Sequence, residues 1–548
     1  MTAQPLRPSG DDLFARWSPR RVNRVALLAA ALCGAAAGLA FPPIDLWALM
    51  PLGLIGLGAL LRHQPARRGL ARGLAFGLAY YLVLIRWMIV IGWWPYLGLA
   101  AVMALWLGLL GAVTAVASRW PGWPCYAAAC WVAVEWVASR VPLGGFPWGR
   151  LAYAGAGSPI EGLYPLVSVS GVSFLIVLSS FSLAAGLAWA RRSRWAPLTA
   201  SLVGLGLIGL GSWAGQSYQP CPEQGTVSVG LIQGNVPSTG LGALGPGRTT
   251  THNSLAETIV LAARAQTGQL DQPDFVVWPE SSTDMDPERD QSTGQLVEWA
   301  RRLVDRPLLI GTLTMGPESG QRRTSSVWWE SSDQTGDRYH KKNIVPFGEW
   351  IPARSFFLPL IPELELIGAQ TVAGSGPGVV WGQTADGQPL PIGVLICFEV
   401  GYDDSADQML RGSSDRPGGQ VIVVQTNNSA LTGTGQMAQQ DAITRIRAME
   451  ARREIAVATT NSLAGFIGAD GRLLWQAELE RSAATTVQMP RRQGLTVAVA
   501  HRHSIELGLV LGPVAVWLAL AGGRLVRRRS RHSAALSRRL GPVGGDRM

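Results

Sequence analysis

The stretch Val394-Leu395-Ile396-Cys397-Phe398-Glu399 is an apolar run that stops on a thiol and a carboxylate. A short apolar run bounded by polar residues reads as a buried strand. This one covers 392–397, and the pattern recurs at 227–233, 275–278, 308–312, 421–425 and 455–459. Helix-like stretches lie between them near 250–266, 292–304 and 436–453. Strands alternating with helices imply a layered α/β domain, here spanning residues 215–500. Val276-Val277-Trp278-Pro279-Glu280 repeats the picture, with a carboxylate at the strand end. Strand ends in open α/β sheets gather side chains from distant sequence into one crevice.

Between these two sites stands Tyr339-His340-Lys341-Lys342-Asn343-Ile344-Val345-Pro346-Phe347-Gly348-Glu349. Its two lysines are the only ones among 47 basic residues, the rest being arginines. A guanidinium hardly ever releases a proton, whereas a partly buried ammonium can donate one, recover it, or act as a compact point charge. A lysine kept where arginine serves everywhere else therefore marks a candidate chemical position. The following segment, 343–390, is rich in Pro, Gly and apolar residues and is long for a loop, as lids and binding elements tend to be.

Outside 215–500 the chain changes character. The 548 residues are 48% apolar and 15% charged, with 22 tryptophans that suit interfacial aromatic belts. Seven apolar segments precede residue 215, roughly 25–41, 45–61, 73–93, 96–117, 124–139, 161–190 and 196–214, and an eighth covers 505–523. Most reach the roughly 17–25 residues that cross a bilayer as a helix. The expected plan is a cytoplasmic segment 1–24, a membrane domain 25–214 of seven helices, the α/β domain, the eighth helix, and a basic cytoplasmic tail 524–548.

Charge sets the expected orientation. Residues 215–500 carry 22 Lys/Arg against 30 Asp/Glu, and the remainder 25 against 7, so the net charge of +10 resides in the ends and short loops of the apolar part. That distribution argues against nucleic-acid binding. Arginines cluster before the first segment, at 62–72, at 191–194 and at 524–529. The positive-inside rule then makes both termini cytoplasmic and puts 215–500 on the outer side. Arg86 and Glu135 are ionisable residues within apolar segments, positions that are costly and usually functional or paired. They are candidates to pair with each other, to meet a phospholipid headgroup, or to snorkel from a helix end.

The polar region holds two cysteines, Cys221 and Cys397, which make neither a disulfide framework nor a thiolate cluster. The six histidines show no zinc-ligand spacing, and no cofactor motif is evident. His252 and His340 sit in no nucleophile–base signature, which disfavours a Cys/His hydrolase. A thiol becomes nucleophilic as thiolate, which a nearby ammonium favours and a carboxylate can assist by taking the proton. Lysine also offers donors to the oxyanion of a tetrahedral intermediate. Taken singly, Cys397 reads more readily as an inert core thiol, and Glu280 as a surface or capping carboxylate.

Together the motifs say more. Trp278-Pro279-Glu280, Lys341 with Val345-Pro346-Phe347-Gly348-Glu349, and Cys397-Phe398-Glu399 resemble the Glu, Lys and Cys motifs of the nitrilase (carbon–nitrogen hydrolase) superfamily. With the membrane segments, the whole chain resembles the bacterial apolipoprotein N-acyltransferase family. Gly145-Phe146-Pro147-Trp148, Ile232-Gln233-Gly234-Asn235-Val236-Pro237, Asn427-Asn428 and Thr460-Asn461-Ser462 extend the likeness. Three departures stand out. Cys-Phe-Glu replaces a common Cys-Tyr-Glu. No tryptophan follows Pro237. Asn427-Asn428-Ser429-Ala430-Leu431 stands where many relatives have Asn-Asp-Ala-Trp-Phe.

The resemblance implies an αββα catalytic domain inserted before the last of about eight membrane helices. It implies Cys397 as nucleophile, Glu280 as general base and Lys341, eight residues before Glu349, as the lysine of the triad, with Glu349 and Glu399 supporting. Lys342 is left without a role. The implied reaction moves an acyl chain from a phospholipid, through a cysteine thioester, to the α-amino group of a diacylglyceryl-cysteine on an apolipoprotein. A monomer in the bacterial cytoplasmic membrane is expected. Two rivals stand beside this reading: a membrane-anchored amidase using water, and a transporter or receptor with a non-catalytic outer domain.

Overall fold

The computed structural model describes residues 19–190, 195–236, 248–331 and 335–515. Among the described residues, seven α-helices precede the α/β part: α1 (Pro19–Gly38), α2 (Leu49–Leu61), α3 (Ala66–Leu84), α4 (Trp93–Ala117), α5 (Trp123–Ala138), α6 (Tyr164–Ala190) and α7 (Ala196–Gln216). Arg20–Gly38, Trp93–Ala117, Glu161–Ala190 and Ala196–Gln216 are long and apolar enough to cross a membrane. The shorter α2 is apolar as well, and the set is consistent with a membrane protein. Residues 502–515 are helical; the rest of the expected eighth segment, the loop 191–194, the N-terminal segment 1–18 and the basic tail lie outside the described residues.

The third segment differs from expectation. It is helical from Ala66, seven residues early, and ends at Leu84, after which Arg86–Val90 forms a 3₁₀ turn. Arg67, Arg68 and Arg72 thus belong to the helix. Arg72 is buried, and its guanidinium reaches the Leu60 carbonyl at the end of α2. A long stem buried along an apolar face with the head held by a carbonyl lets a helix carry an arginine that hydropathy alone would place outside it.

The α/β part contains two sheets. One runs from Ala483–Arg492 (β15) through Glu223–Gln233 (β1), Phe275–Val277 (β2), Leu308–Met315 (β3) and Gln321–Trp329 (β4) to Thr335–His340 (β5), with Gln370–Thr371 (β6) beside β4. The other runs from Leu473–Gln476 (β14) through Gly465–Ile467 (β13), Ile455–Thr459 (β12), Val421–Thr426 (β11) and Pro389–Ile396 (β8) to Val379–Gln383 (β7). Gly412–Ser413 (β9) and Arg416–Pro417 (β10) form a small separate pair. In each sheet the central strands are parallel: β1, β2 and β3 in one, β8, β11 and β12 in the other.

Residue alternation shows how the sheets stack. Val421 and Val423 share a core with Val229, Val277 and Leu309 of the opposite sheet. Their neighbours Ile422 and Val424 point the other way, as period-two side chains must. Behind the first sheet lie Thr249–Gln266 (α8) and Gln291–Val304 (α9), which supply Leu255, Leu261 and Val297. After the four-residue Arg354–Phe357 (α10), Asp403–Arg411 (α11) and Gly435–Ala451 (α12) cover the second sheet. The order is therefore helix, sheet, sheet, helix. Ile443 and Ile446 of α12 lie in one continuous core with Val169, Val172 and Trp148 of the apolar half, so the two halves are packed as one body.

Candidate active site

Cys397 directly follows β8, Glu280 follows β2 by three residues, and Lys341 directly follows β5. Strand ends of both sheets thus deliver the three side chains to one place. Lys341 is 2% exposed, and its Nζ lies 2.9 Å from Glu280 Oε1 and 3.1 Å from Glu349 Oε2. The second oxygen of Glu280 accepts the Asn427 N–H at 2.9 Å. Glu349 is held by Thr324 Oγ1 at 3.1 Å and the Val345 N–H at 2.8 Å. Cys397 Sγ donates to Asn428 Oδ1 at 3.8 Å.

Electrostatics divides the roles. Burial opposes the Lys341 charge, but Glu280, Glu349 and Cys397 outweigh it and hold the ammonium well above the usual lysine range. Burial, then the Glu280 charge, pushes the Cys397 thiol up to about 12, with Lys341 opposing. The resting group is therefore a thiol, and it needs a base. Burial also raises Glu280, against the pull of Lys341, which makes it a stronger proton acceptor than an ordinary carboxylate. Burial and two arginines, Arg323 and Arg338, push His340 down to about 4, and its Nδ1 is bonded to Ser325 at 2.7 Å, so it offers no competing base.

Glu399 braces the site without touching the lysine. It is fully buried and accepts from Tyr339 OH at 2.8 Å and the Lys342 and Asn343 N–H groups at 2.8 and 3.1 Å; its other oxygen takes the Ile396 N–H at 3.0 Å. One carboxylate thereby ties the lysine segment to the end of β8. Cys397 itself has φ of 53°, a left-handed conformation that costs a non-glycine residue about 1–2 kcal/mol. That turn takes the chain from β8 into the 3₁₀ segment Cys397–Gly401. Lys342, by contrast, sends its ammonium to Gln408 Oε1 at 2.7 Å.

The apolar half completes the surroundings. Phe398 stacks on Trp148 with centroids 4.5 Å apart and planes 1° from parallel, and on Phe146 at 5.9 Å. A family model described as the apolipoprotein N-acyltransferase N-terminal domain matches residues 33–182. An apolipoprotein N-acyltransferase of Mycolicibacterium smegmatis is 32% identical over 97% of this chain and 93% of its own length.

The chain belongs to the apolipoprotein N-acyltransferase family.

A Bordetella bronchiseptica member is 30% identical over 86% of this chain and 92% of its own length. Among solved structures, a mutant of the Nesterenkonia AN1 amidase from the nitrilase superfamily aligns at a TM-score of 0.36 and 15% identity, covering 51% of this chain and 95% of that one.

Within the region matched by the family model, Glu135 and Arg86 part company. Glu135 is buried in α5 and faces Arg150 at 3.6 Å, accepting from Trp131 Nε1 at 3.1 Å and the Leu151 N–H at 2.9 Å. Arg86 is exposed at the start of its 3₁₀ turn, between the ends of α3 and α4. The structure thus pairs Glu135 with Arg150 and leaves Arg86 elsewhere.

Sequence reasoning missed a buried ion cluster behind Cys397–Gly401. Asp403 meets Arg447 at 2.7 Å and Arg502 at 3.0 Å, and is also bonded to Arg150; Glu450 meets Arg447 at 2.8 Å and Arg502 at 3.0 Å. Burial would raise the Asp403 carboxyl, but these arginines hold it well below the usual range. Arg447 Nε donates to the Val400 carbonyl at 2.9 Å, and Tyr153 OH to the Gly401 carbonyl at 2.8 Å, pinning the far end of the Cys397–Gly401 turn. Arg447 and Glu450, three apart on one helix, were the available signal.

Proposed function

We propose that this chain transfers an acyl group from a phospholipid to the terminal amine of a lipid-modified apolipoprotein by a two-step exchange through Cys397. The observation that carries the reading is the buried Glu280–Lys341 pair, with Glu349 beside it, brought near Cys397 at the strand ends.

Cys397 Sγ attacks the ester carbonyl as Glu280 takes the thiol proton. Lys341 donates to the oxyanion of the tetrahedral intermediate. The C–O bond breaks, Glu280 returns the proton to the leaving lysophospholipid, and a thioester remains. The free α-amino group of the diacylglyceryl-cysteine then attacks the thioester, Glu280 accepts a proton from the nitrogen, and the C–S bond breaks as Glu280 passes that proton to the sulfur, so the thiol is regenerated as the amide forms. Membership of the family supports this assignment. Glu349 keeps the ammonium in place, and Glu399 holds the lysine segment against β8.

The lipid enters from the apolar half. Arg86, exposed on a turn that packs against Ser429–Leu431 and is followed by the exposed Trp93 and Trp94, is the cation we assign to the donor's phosphate. Phe356, Leu360 and Leu366 of the 343–390 loop are each more than 60% exposed, which suits a lid that dips into the outer leaflet. The α/β domain then lies on the outer side of the bacterial cytoplasmic membrane, with both termini inside. Mass spectrometry after incubation with phospholipid should find Cys397 acylated, and a lipopeptide amine, rather than water, should discharge it. An unmodified Cys397, or full activity in Cys397→Ala, overturns the mechanism.

A further inference from the structure

Gln439 on α12 is 5% exposed, and every hydrogen-bonding capacity of its amide is engaged. Its Oε1 accepts Trp87 Nε1 at 3.0 Å and Trp148 Nε1 at 2.9 Å. Its Nε2 donates to the carbonyls of Pro42 at 3.0 Å and Leu84 at 2.9 Å. These four partners come from three places in the apolar half: the segment after α1, the end of α3 with its 3₁₀ turn, and the segment between α5 and α6. Two donors facing two carbonyls, and one oxygen shared by two indoles, define which end of the amide is which.

What lies beyond Trp148 gives this hub a consequence. An indole has one donor, and Trp148 spends it on Gln439. Its ring is then fixed face-on to Phe398, the residue after the nucleophile. The next residue of the helix, Gln440, reaches the other side of the thiol. It donates to Thr426 Oγ1 at 3.0 Å and accepts from Asn428 Nδ2 at 3.1 Å, while Asn428 Oδ1 receives the Cys397 thiol. Consecutive glutamines of α12 thus address the ring beside Cys397 and the amide bonded to it.

We infer that Gln439 is a positioning residue for acyl transfer, acting on Cys397 through the Trp148–Phe398 stack. The inference rests on the acyl-transfer reading above and adds to it a route by which membrane-side segments set the orientation of the nucleophile turn. Gln439→Met keeps length and volume but deletes all four bonds. Small displacements of a reacting group cost about 10²-fold, so single-turnover acylation of Cys397 should slow by about that factor, with little change in the phospholipid concentration giving half-maximal rate.

Phe398→Leu should slow acylation too, and the double variant should be no slower than the slower single one, because both act through the same stack. Gln439 and Phe398 are separated by the Trp148 ring, so a general loss of packing would instead multiply the two effects. If Gln439→Met does not fold, Trp148→Phe takes its place in the same cycle, since it keeps a ring on Phe398 and removes the bond to Gln439. Wild type that is never acylated at Cys397 defeats the acyl-transfer reading and this inference with it. Wild type that is acylated, with Gln439→Met equally fast or with losses that multiply, overturns the inference alone.

Discussion

Replacing Lys341 by arginine keeps the charge and removes the geometry. Lys341 is 2% exposed, with Nζ within 3.1 Å of two carboxylates. A guanidinium is larger and planar, and overpacking a buried site costs about 1–3 kcal/mol. That is tolerable against a total stability of about 5–15 kcal/mol. Lys341→Met is the harsher contrast, because stranding Glu280 and Glu349 without a cation should cost about 3–5 kcal/mol. Catalysis should respond differently. Loss of one oxyanion donor slows comparable reactions by about 10²–10³-fold. Single-turnover acylation of Cys397, followed beside thermal unfolding in detergent, should therefore show Lys341→Arg folded and slower by that factor. Lys342→Arg should behave as wild type, since its ammonium is bonded to Gln408 and its backbone N–H still reaches Glu399. A Lys341→Arg enzyme that keeps more than about a tenth of the rate refutes the oxyanion role, because the loss would fall below that window.

Glu280→Gln should slow acylation by about 10²–10⁴-fold, the range for a lost general base. Burial raises the Glu280 carboxyl, so it accepts a proton only above that raised value, and the acid limb of the wild-type pH–rate profile should lie above the ordinary carboxylate range and vanish in the variant. The Glu280 charge also pushes the thiol up, so ultraviolet titration should find the Cys397 thiolate forming at lower pH in Glu280→Gln; an unchanged titration would place Glu280 away from the thiol. Phe356→Ser with Leu360→Ser should raise the phospholipid concentration giving half-maximal rate in mixed micelles, because fully burying each side chain is worth about 1.5–3 kcal/mol; an unchanged value argues against a membrane-dipping lid. Arg150→Met should lower the unfolding temperature sharply, since removing one partner from a buried ion cluster costs about 3–5 kcal/mol, and a shift of under a degree would mean that the Asp403 cluster contributes little.

The legible parts of the fold were the buried parallel strands. The run expected at 455–459 is β12 without adjustment, and 392–397 differs from β8 by a few residues. Strands covered on both faces read as continuous apolar runs. The strand that delivers Lys341 does not. β5 reads Thr-Gly-Asp-Arg-Tyr-His, and only Tyr339 of it is buried, so neither alternation nor apolarity marks it. Its partner β4 begins with Gln321-Arg322-Arg323, equally silent. Lys341 was found through composition and motif, Glu349 and Glu399 through motif alone, and the geometry gives them different tasks: one touches the ammonium, the other clamps two segments. Glu135 was marked only as a charge in an apolar segment and Arg447 only by its spacing from Glu450; their partners Arg150 and Asp403 lie on other elements, so the pairings follow from tertiary packing.

That docking explains where the chain departs from regular structure. α6 breaks its helical dihedrals at Ser168, with φ of 63°, where the hydroxyl reaches Glu450 at 2.7 Å and the Val169 N–H reaches the same oxygen at 3.3 Å. Arg502 and Glu506, the latter bonded through Ser170 at 2.8 Å, enter from the helix that follows the α/β domain. Charged groups at such depth are costly unless each finds partners. Here Asp403, Glu450 and Arg447 belong to the α/β half, while Arg150 comes from the segment between α5 and α6 and Arg502 from the helix after the α/β domain. Neither half satisfies these charges alone. The inserted domain is thereby fixed to its helices by the ion cluster whose Arg447, together with Tyr153 of the apolar half, pins Val400 and Gly401 behind Cys397, so the placement of that turn is tied to the docking itself.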